Sequence, residues 1–202
     1  MDLRNLAEEL EDVEALDKVA VPIAEAVDQL LPEGPTRDAL RGKWLGHPLH
    51  PVLTDLPIGF WTTAFVFDLL PFRGSGKAAR TMIGLGTLAA VPTLATGWAD
   101  WSALPERQRR PGLVHAVSNG VATALYASSY VARRRGRTFR GVALAMLGAG
   151  AATFGGYLGG ELVYRLGAGV TTGNQPTETP DMWSPVLDGG QAVSEPVISA
   201  AP

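Results

Sequence analysis

The stretch Gly141-Val-Ala-Leu-Ala-Met-Leu-Gly-Ala-Gly-Ala-Ala-Thr-Phe-Gly-Gly-Tyr-Leu-Gly-Gly160 contains 20 consecutive residues without a charged side chain, bounded by Arg140 and Glu161. At a rise of about 1.5 Å per residue, a helix of about 20 apolar residues crosses the hydrocarbon core of a bilayer, whereas about 10 to 14 would indicate a helix buried in a soluble core. This stretch therefore predicts a membrane-spanning helix.

Three more stretches resemble it. Two are free of charge, with 19 residues between Arg80 and Asp100 and 22 between Arg110 and Arg133. Residues 52–72 form the weakest candidate because they include Asp55, Pro57 and Asp68. We predict an all-α integral membrane four-helix bundle within residues 46–170, with helices at about 52–72, 80–100, 112–132 and 141–163.

Polar segments flank these helices. Residues 1–45 are acidic and place Leu3, Leu6, Leu10 and Val13 at helical spacing, which predicts an amphipathic segment on the membrane surface or against a partner. Residues 171–202 are rich in Pro, Thr and Ser and read as a disordered linker. We find no internal repeat. The chain has no cysteine, so we expect no iron–sulfur cluster within these residues.

Orientation follows from the distribution of basic residues. The loops after the first and third predicted helices carry eight bases and no acid: Arg73, Lys77, Arg80, Arg133, Arg134, Arg135, Arg137 and Arg140. Loops with excess Lys and Arg stay in the cytoplasm, so we expect a multi-pass protein of a bacterial inner membrane with both termini outside.

Ionisable residues gather at the outer end of the predicted bundle. His47 and His50 precede the first helix, His115 begins the third, and Asp100 and Glu161 lie at the ends of the second and fourth. Neutral imidazole is a ligand of haem iron and of divalent metals. His50 and His115 are therefore candidate axial ligands of a b-type haem, and all five residues are candidate ligands of a divalent metal ion. In a third interpretation the histidines cap helices and the acids pair with nearby bases.

Two helix faces carry packing information. A polar stripe on the third helix is expected to face protein and comprises His115, Asn119, Thr123, Tyr126 and Tyr130. The fourth helix has small residues four apart, which favour tight packing within the bundle or a homodimer interface: Gly148, Ala152, Gly156 and Gly160.

Four motifs resemble a bacterial four-helix membrane family of unknown function, the domain of unknown function 2231. They are Trp44-Leu-Gly-His-Pro-Leu-His-Pro-Val-Leu-Thr-Asp-Leu-Pro-Ile-Gly59, Thr96-Gly-Trp-Ala-Asp-Trp101, His115-Ala-Val-Ser-Asn119 and Gly156-Tyr-Leu-Gly-Gly-Glu-Leu-Val-Tyr164. Members are often joined to a C-terminal Rieske-type 2Fe-2S ferredoxin domain, and Asp181-Met-Trp-Ser-Pro-Val-Leu187 resembles the entry into one. The given sequence contains no Cys-x-His motif, so this resemblance implies the membrane module without its cluster-binding part.

These observations predict a redox-associated membrane module that anchors or serves a Rieske-type ferredoxin, in cis or in trans, beside a histidine site. It is not expected to be an enzyme on its own or to bind nucleic acid. The alternatives are a metal-binding or metal-transport protein and a purely structural anchor.

Overall fold

A computed structural model describes residues 3–70 and 72–170 of the chain. The linker predicted at 171–202, with its resemblance to a Rieske entry, lies outside the described residues. The described residues form seven α-helices and short helical turns, and no strand occurs among them. The predicted all-α class is confirmed.

Four long helices follow one another from residue 49 onwards: α4 (Leu49–Leu69), α5 (Ser75–Trp101), α6 (Glu106–Arg134) and α7 (Thr138–Gly160). A π-helical turn at Glu161–Arg165 continues α7. Three segments are long and apolar enough to cross a membrane: Leu49–Leu69, Ser75–Trp101 and Thr138–Arg165. The helix α6 spans 29 residues but is less apolar, because its polar stripe lowers the mean hydropathy. Three of the four predicted spans therefore meet both criteria.

Each long helix begins before the predicted start. The difference arises because charge and proline bound the apolar stretches in sequence but do not end the helices. Pro51 lies in the first turn of α4, where a missing N–H group is tolerated. The first turns of α6 take in Glu106 and Arg110, whose charges are held by groups outside the long helices or reach solvent.

The N-terminal cap comprises residues 3–45. It contains α1 (Leu3–Asp12), α2 (Asp17–Leu30), α3 (Pro35–Leu40) and short 3-10 turns. This segment packs against the start of α6 and the end of α5. Its apolar contacts surround Trp101 and Leu113, which are buried together with Ala20 and Ala24 of α2. The amphipathic segment predicted from the sequence thus covers the end of the long helices.

The helices α4 and α5 form an antiparallel pair, here called the first hairpin. His50 and Trp61 are eleven residues apart on α4 and lie against Gly97 and Gly86, which are eleven residues apart on α5. A Cβ atom on Gly97 would be 2.9 Å from His50 Cε1, and one on Gly86 would be 2.5 Å from Trp61 Nε1. Only glycine permits this close approach of ring and backbone.

The helices α6 and α7 form the second hairpin and repeat this arrangement. His115 and Tyr126 are again eleven residues apart, and they lie against Gly159 and Gly148 of α7, also eleven residues apart. A Cβ on Gly159 would be 2.8 Å from His115 Cε1, and one on Gly148 would be 3.1 Å from the Tyr126 ring. The chain therefore contains two structurally equivalent hairpins, and the prediction of no internal repeat is wrong at this level.

The two hairpins meet through equivalent positions. His50 contacts His115, Trp61 stacks on Tyr126 at a centroid distance of 4.1 Å, and Asp68 forms an ion pair with Arg133. Asp68 and Arg133 are 65 positions apart, and so are the residues of the other two pairs. The constant offset means that α4 and α6 run parallel in one register.

Candidate functional site

His50 and His115 approach each other at the contact between the two hairpins. Their ring centroids are 6.1 Å apart and the rings are nearly perpendicular, at 83°. Both side chains are partly buried. The level of this contact lies about 12 Å along α5 from its end at Trp101, since Thr93 bonds to His50 and a helix rises about 1.5 Å per residue. The predicted pairing of these two histidines is thus present, some way inside the helix ends.

Each histidine is oriented by a backbone carbonyl of its own hairpin. His50 Nδ1 lies 2.8 Å from the carbonyl oxygen of Thr93, and His115 Nδ1 lies 2.7 Å from that of Gly155. Thr93 and Gly155 are equivalent, because each precedes by four residues the glycine on which the ring lies. A carbonyl oxygen only accepts hydrogen bonds, so each Nδ1 carries the proton. In the neutral imidazole, each Nε2 then presents a lone pair.

Nδ1–H donation to a carbonyl is the arrangement that prepares imidazole for metal ligation, because it fixes the tautomer and raises the basicity of Nε2. The same arrangement also satisfies a histidine that has only a packing role. The distinguishing feature is that it occurs twice, at equivalent positions, on two rings that meet. The geometry supplies two oriented nitrogen donors, one from each hairpin.

Asn119 lies directly beside His115. It is one turn further along α6, its Nδ2 donates to the His115 carbonyl at 3.0 Å, and it is 3.4 Å from both nitrogens of the His115 ring. The amide also fills the space over Gly155, where a Cβ would be 2.8 Å from Nδ2. Asn119 therefore restricts movement of the His115 ring.

The other three predicted ligands lie in different surroundings. His47 is exposed, and its Nδ1 is 3.3 Å from the Pro48 carbonyl. Glu161 accepts from Arg165 Nε at 2.6 Å, and Arg165 also pairs with Glu11 of the cap. Asp100 is partly buried, and Arg41 is its charged neighbour. Across residues 3–70 and 72–170, no three His, Cys, Asp or Glu side chains are close enough to hold a metal ion together.

Ion pairs attach the N-terminal cap to the long helices above the histidines. Arg110 of α6 donates to both carboxylate oxygens of Asp17, at 3.0 and 2.6 Å, and to the Glu11 carbonyl at 2.7 Å. The hydrogen bond from Arg110 lowers the pKa of Asp17 below its ordinary value of 3.8. On the α5 side, Arg37 donates to Ser102 and Arg41 to the Ala99 carbonyl. The cap is fixed by arginines at both helices.

The polar stripe of α6 faces protein, as predicted. His115 and Asn119 contact α7, Tyr126 stacks on Trp61, and Tyr130 lies 2.9 Å from the position of a Cβ on Gly84. Thr123 completes the stripe with a hydrogen bond to the Asn119 carbonyl.

The small residues predicted to lie on one face of α7 divide between two. Gly148 packs against Tyr126 of the same chain, whereas a Cβ on Gly156 would meet nothing within 4 Å. The glycines of α7 that pack against α6 are Gly141, Gly148, Gly155 and Gly159. Gly148 is thus occupied by the chain's own packing.

Sequence reasoning missed the groups that orient the histidines. Thr93 and Gly155 contribute only a carbonyl oxygen, so their side chains give no signal. A signal for the glycines was present, since the eleven-residue spacing from histidine to aromatic residue is repeated by the glycines of the following helix. Three helical turns separate residues eleven apart, which places them on one face.

Comparison with known proteins identifies the family but no characterised relative. A family model described as "Predicted membrane protein (DUF2231)" matches residues 46–172, and the chain belongs to this family. No curated protein matches the chain. No solved structure matches it either.

Proposed function

We propose that this member of a membrane-protein family is an electron-transfer module that binds a b-type haem between its two hairpins, with His50 and His115 as axial ligands. The observation that carries the proposal is the contact of two equivalent histidines, each with Nδ1 bonded to a carbonyl of its own hairpin. When bound, haem supplies one-electron redox chemistry.

The number of available donors favours haem over a simple metal ion. Zinc sites take three or four protein ligands, whereas haem iron needs at most two because the porphyrin supplies the rest. The described residues bring two histidines together and no third acid or histidine to the same place. A two-donor site is therefore best matched by haem iron.

Distance and symmetry support the same ligand. If both imidazoles held one iron, each through a nitrogen at about 2.0 Å, their centres would be about 6 Å apart. The observed centroid distance is 6.1 Å. Each donor lies on a glycine of the following helix in its own hairpin, so the two donors have equivalent surroundings. Each Nδ1 bond lies within one hairpin, so a ligand between the hairpins leaves both bonds intact.

The membrane setting completes the proposal. With α6 inserted beside the three candidate spans, the arginine-bearing turns face the cytoplasm under the positive-inside rule, and the histidine end faces outside. The partner in this proposal is a Rieske-type ferredoxin, in cis or in trans, as the family resemblance suggests.

Spectroscopy of the full chain tests the haem. Protein purified in detergent from haem-replete cells should show a Soret band and about one haem per chain. His50→Ala and His115→Ala should each abolish six-coordinate, low-spin haem. The matched control is His47→Ala, which removes an exposed histidine from the same segment and should leave the spectrum unchanged. A colourless wild-type protein, or a spectrum insensitive to both substitutions, would contradict the proposal.

Elemental analysis of the same samples tests the alternatives. Stoichiometric zinc, copper or iron without porphyrin, lost in His50→Ala and His115→Ala, would replace haem with a metal-binding function. Neither haem nor metal, together with unchanged folding of the variants, would leave the histidines a packing role and the protein a structural anchor.

A further inference from the structure

A groove lies at the opposite end of the molecule from the histidines, where α6 turns into α7. Its volume is about 340 Å³, within the range of roughly 300 to 1,000 Å³ typical of ligand pockets. Three arginines line it together with small or apolar side chains: Arg135, Arg137 and Arg140, then Ala127, Ser128, Val131, Ala132 and Leu144. The lining of the groove is thus part cationic and part apolar.

The charge of the three arginines is not compensated by the protein. In the part of the chain that the structure describes, Arg135, Arg137 and Arg140 take part in no ion pair or side-chain hydrogen bond, and all three are exposed. The acid at this end, Asp68, is engaged in a two-point ion pair with Arg133, at 2.8 and 2.6 Å. The groove therefore carries three positive charges that no acid of the described residues neutralises.

The equivalent turn of the first hairpin shows that these arginines are not needed to form the turn. The offset of 65 positions that pairs α4 with α6 makes Arg135 equivalent to Leu70. The offset that relates Gly86 of α5 to Gly148 of α7 makes Arg140 equivalent to Ala78. A hairpin of the same design closes with apolar residues at these positions. The arginines therefore have a role other than closing the hairpin.

Hydrophobic side chains are exposed in and beside the groove. Val131 is 44% exposed despite its hydrophobic side chain. Phe139, beside Arg140, is 89% exposed, as suits an aromatic residue at a membrane interface. An occupant must therefore be anionic at one end and apolar at the other.

The geometry points to a binding site for an anionic phospholipid at the α6–α7 turn, with its phosphate on Arg135, Arg137 and Arg140 and an acyl chain along Val131 and Leu144. Basic grooves between membrane helices on the cytoplasmic side suit anionic headgroups because cationic side chains and lipid charge attract at short range.

Native mass spectrometry of the delipidated full chain tests this site. Phosphatidylglycerol should bind at least about tenfold more tightly than phosphatidylcholine, since each basic residue near an anionic headgroup strengthens binding severalfold. The variant Arg135→Gln/Arg137→Gln/Arg140→Gln should lose this preference. The matched control is Arg73→Gln/Lys77→Gln/Arg80→Gln, which removes the same charge from the turn of the first hairpin and should keep it.

Glycerol 3-phosphate separates a lipid from a free anion. It carries the phosphate without acyl chains, so millimolar amounts should not displace phosphatidylglycerol from the wild type. Displacement would make the groove a site for soluble phosphates. If both triple variants lost the preference for phosphatidylglycerol equally, that preference would come from the net charge of this end of the molecule and not from the groove. The competition needs only wild-type protein, so it decides the question even if the groove variant does not fold.

Discussion

The two hairpins share a backbone design but differ in charge and polarity. Both place a histidine and an aromatic ring, eleven residues apart, on glycines of the following helix. Both helices of the first hairpin are apolar enough to span a membrane, whereas α6 of the second is not. The second hairpin also carries the cluster of five arginines at its turn. Features common to both hairpins lie at the contact between them, and features of one hairpin lie away from it.

The comparison separates residues that hold the hairpins together from residues that are available for binding. At the turn end, the equivalent positions hold Asp68 and Arg133, whose charges neutralise each other. At the other end, the equivalent positions hold two histidines that cannot satisfy each other through Nε2, because both Nδ1 atoms already carry the proton. The first pair neutralises its own charges, whereas the second pair leaves both Nε2 atoms as hydrogen-bond acceptors, with the Asn119 amide 3.4 Å from that of His115.

The largest expected effect comes from breaking the ion pair between the hairpins. Asp68→Asn leaves Arg133, whose side chain is only 3% exposed, without a counter-charge, and should cost about 3 to 5 kcal/mol of unfolding free energy. Because the two positions are equivalent, the double variant Asp68→Arg/Arg133→Asp, which exchanges the two charges, should recover most of the lost unfolding free energy. Unfolding in detergent measures both. Glu33→Gln, which removes an exposed partner of Arg41, should cost less than about 1 kcal/mol.

Glycine substitutions test whether the histidine cradles are equivalent. Gly97→Ala and Gly159→Ala each place a Cβ within 3 Å of a histidine ring, so each should cost about 1 to 3 kcal/mol and weaken haem binding to a similar degree. Gly156→Ala is the matched control on α7, because a Cβ there meets open space. Thermal unfolding and haem titration of all three variants provide the measurement. If Gly97→Ala left stability unchanged while Gly159→Ala lowered it, the two histidine cradles would not be equivalent.

The smallest effect concerns the N-terminal cap, which covers only one end of the two hairpins. The hydrogen bond from Arg110 lowers the pKa of Asp17, so this contact stabilises the fold above the ordinary pKa of 3.8 and is lost as the pH falls through the lower folded value. Arg110→Gln should therefore lower Tm at pH 7, by an amount that shrinks below about pH 4. Tm measured from pH 7 to pH 3 gives the difference. A pH-independent difference would contradict this linkage.

Sequence alone predicted the helical class, the four long helices and the pair His50 and His115. The helices were predictable because long runs with few charges favour long apolar helices, and the pair was predictable because three histidines leave few possible pairs. The interpretation in which acids pair with nearby bases holds for Glu161 and Arg165, but the sequence did not predict that Asp68 would pair with Arg133. Such partners depend on helix rotation and register, which a charge count does not contain.

The internal repeat shows which features of the fold could not be predicted from the sequence. Apolar run lengths, basic loops and histidine positions are properties of the one-dimensional chain, so the sequence by itself determined the long helices and their connection by short turns. Only the tertiary structure decided that α4 and α6 run in one register, because that register follows from rings packing on glycines of neighbouring helices. The same packing brought two histidines that are distant in sequence into contact and left three arginines of the second turn exposed.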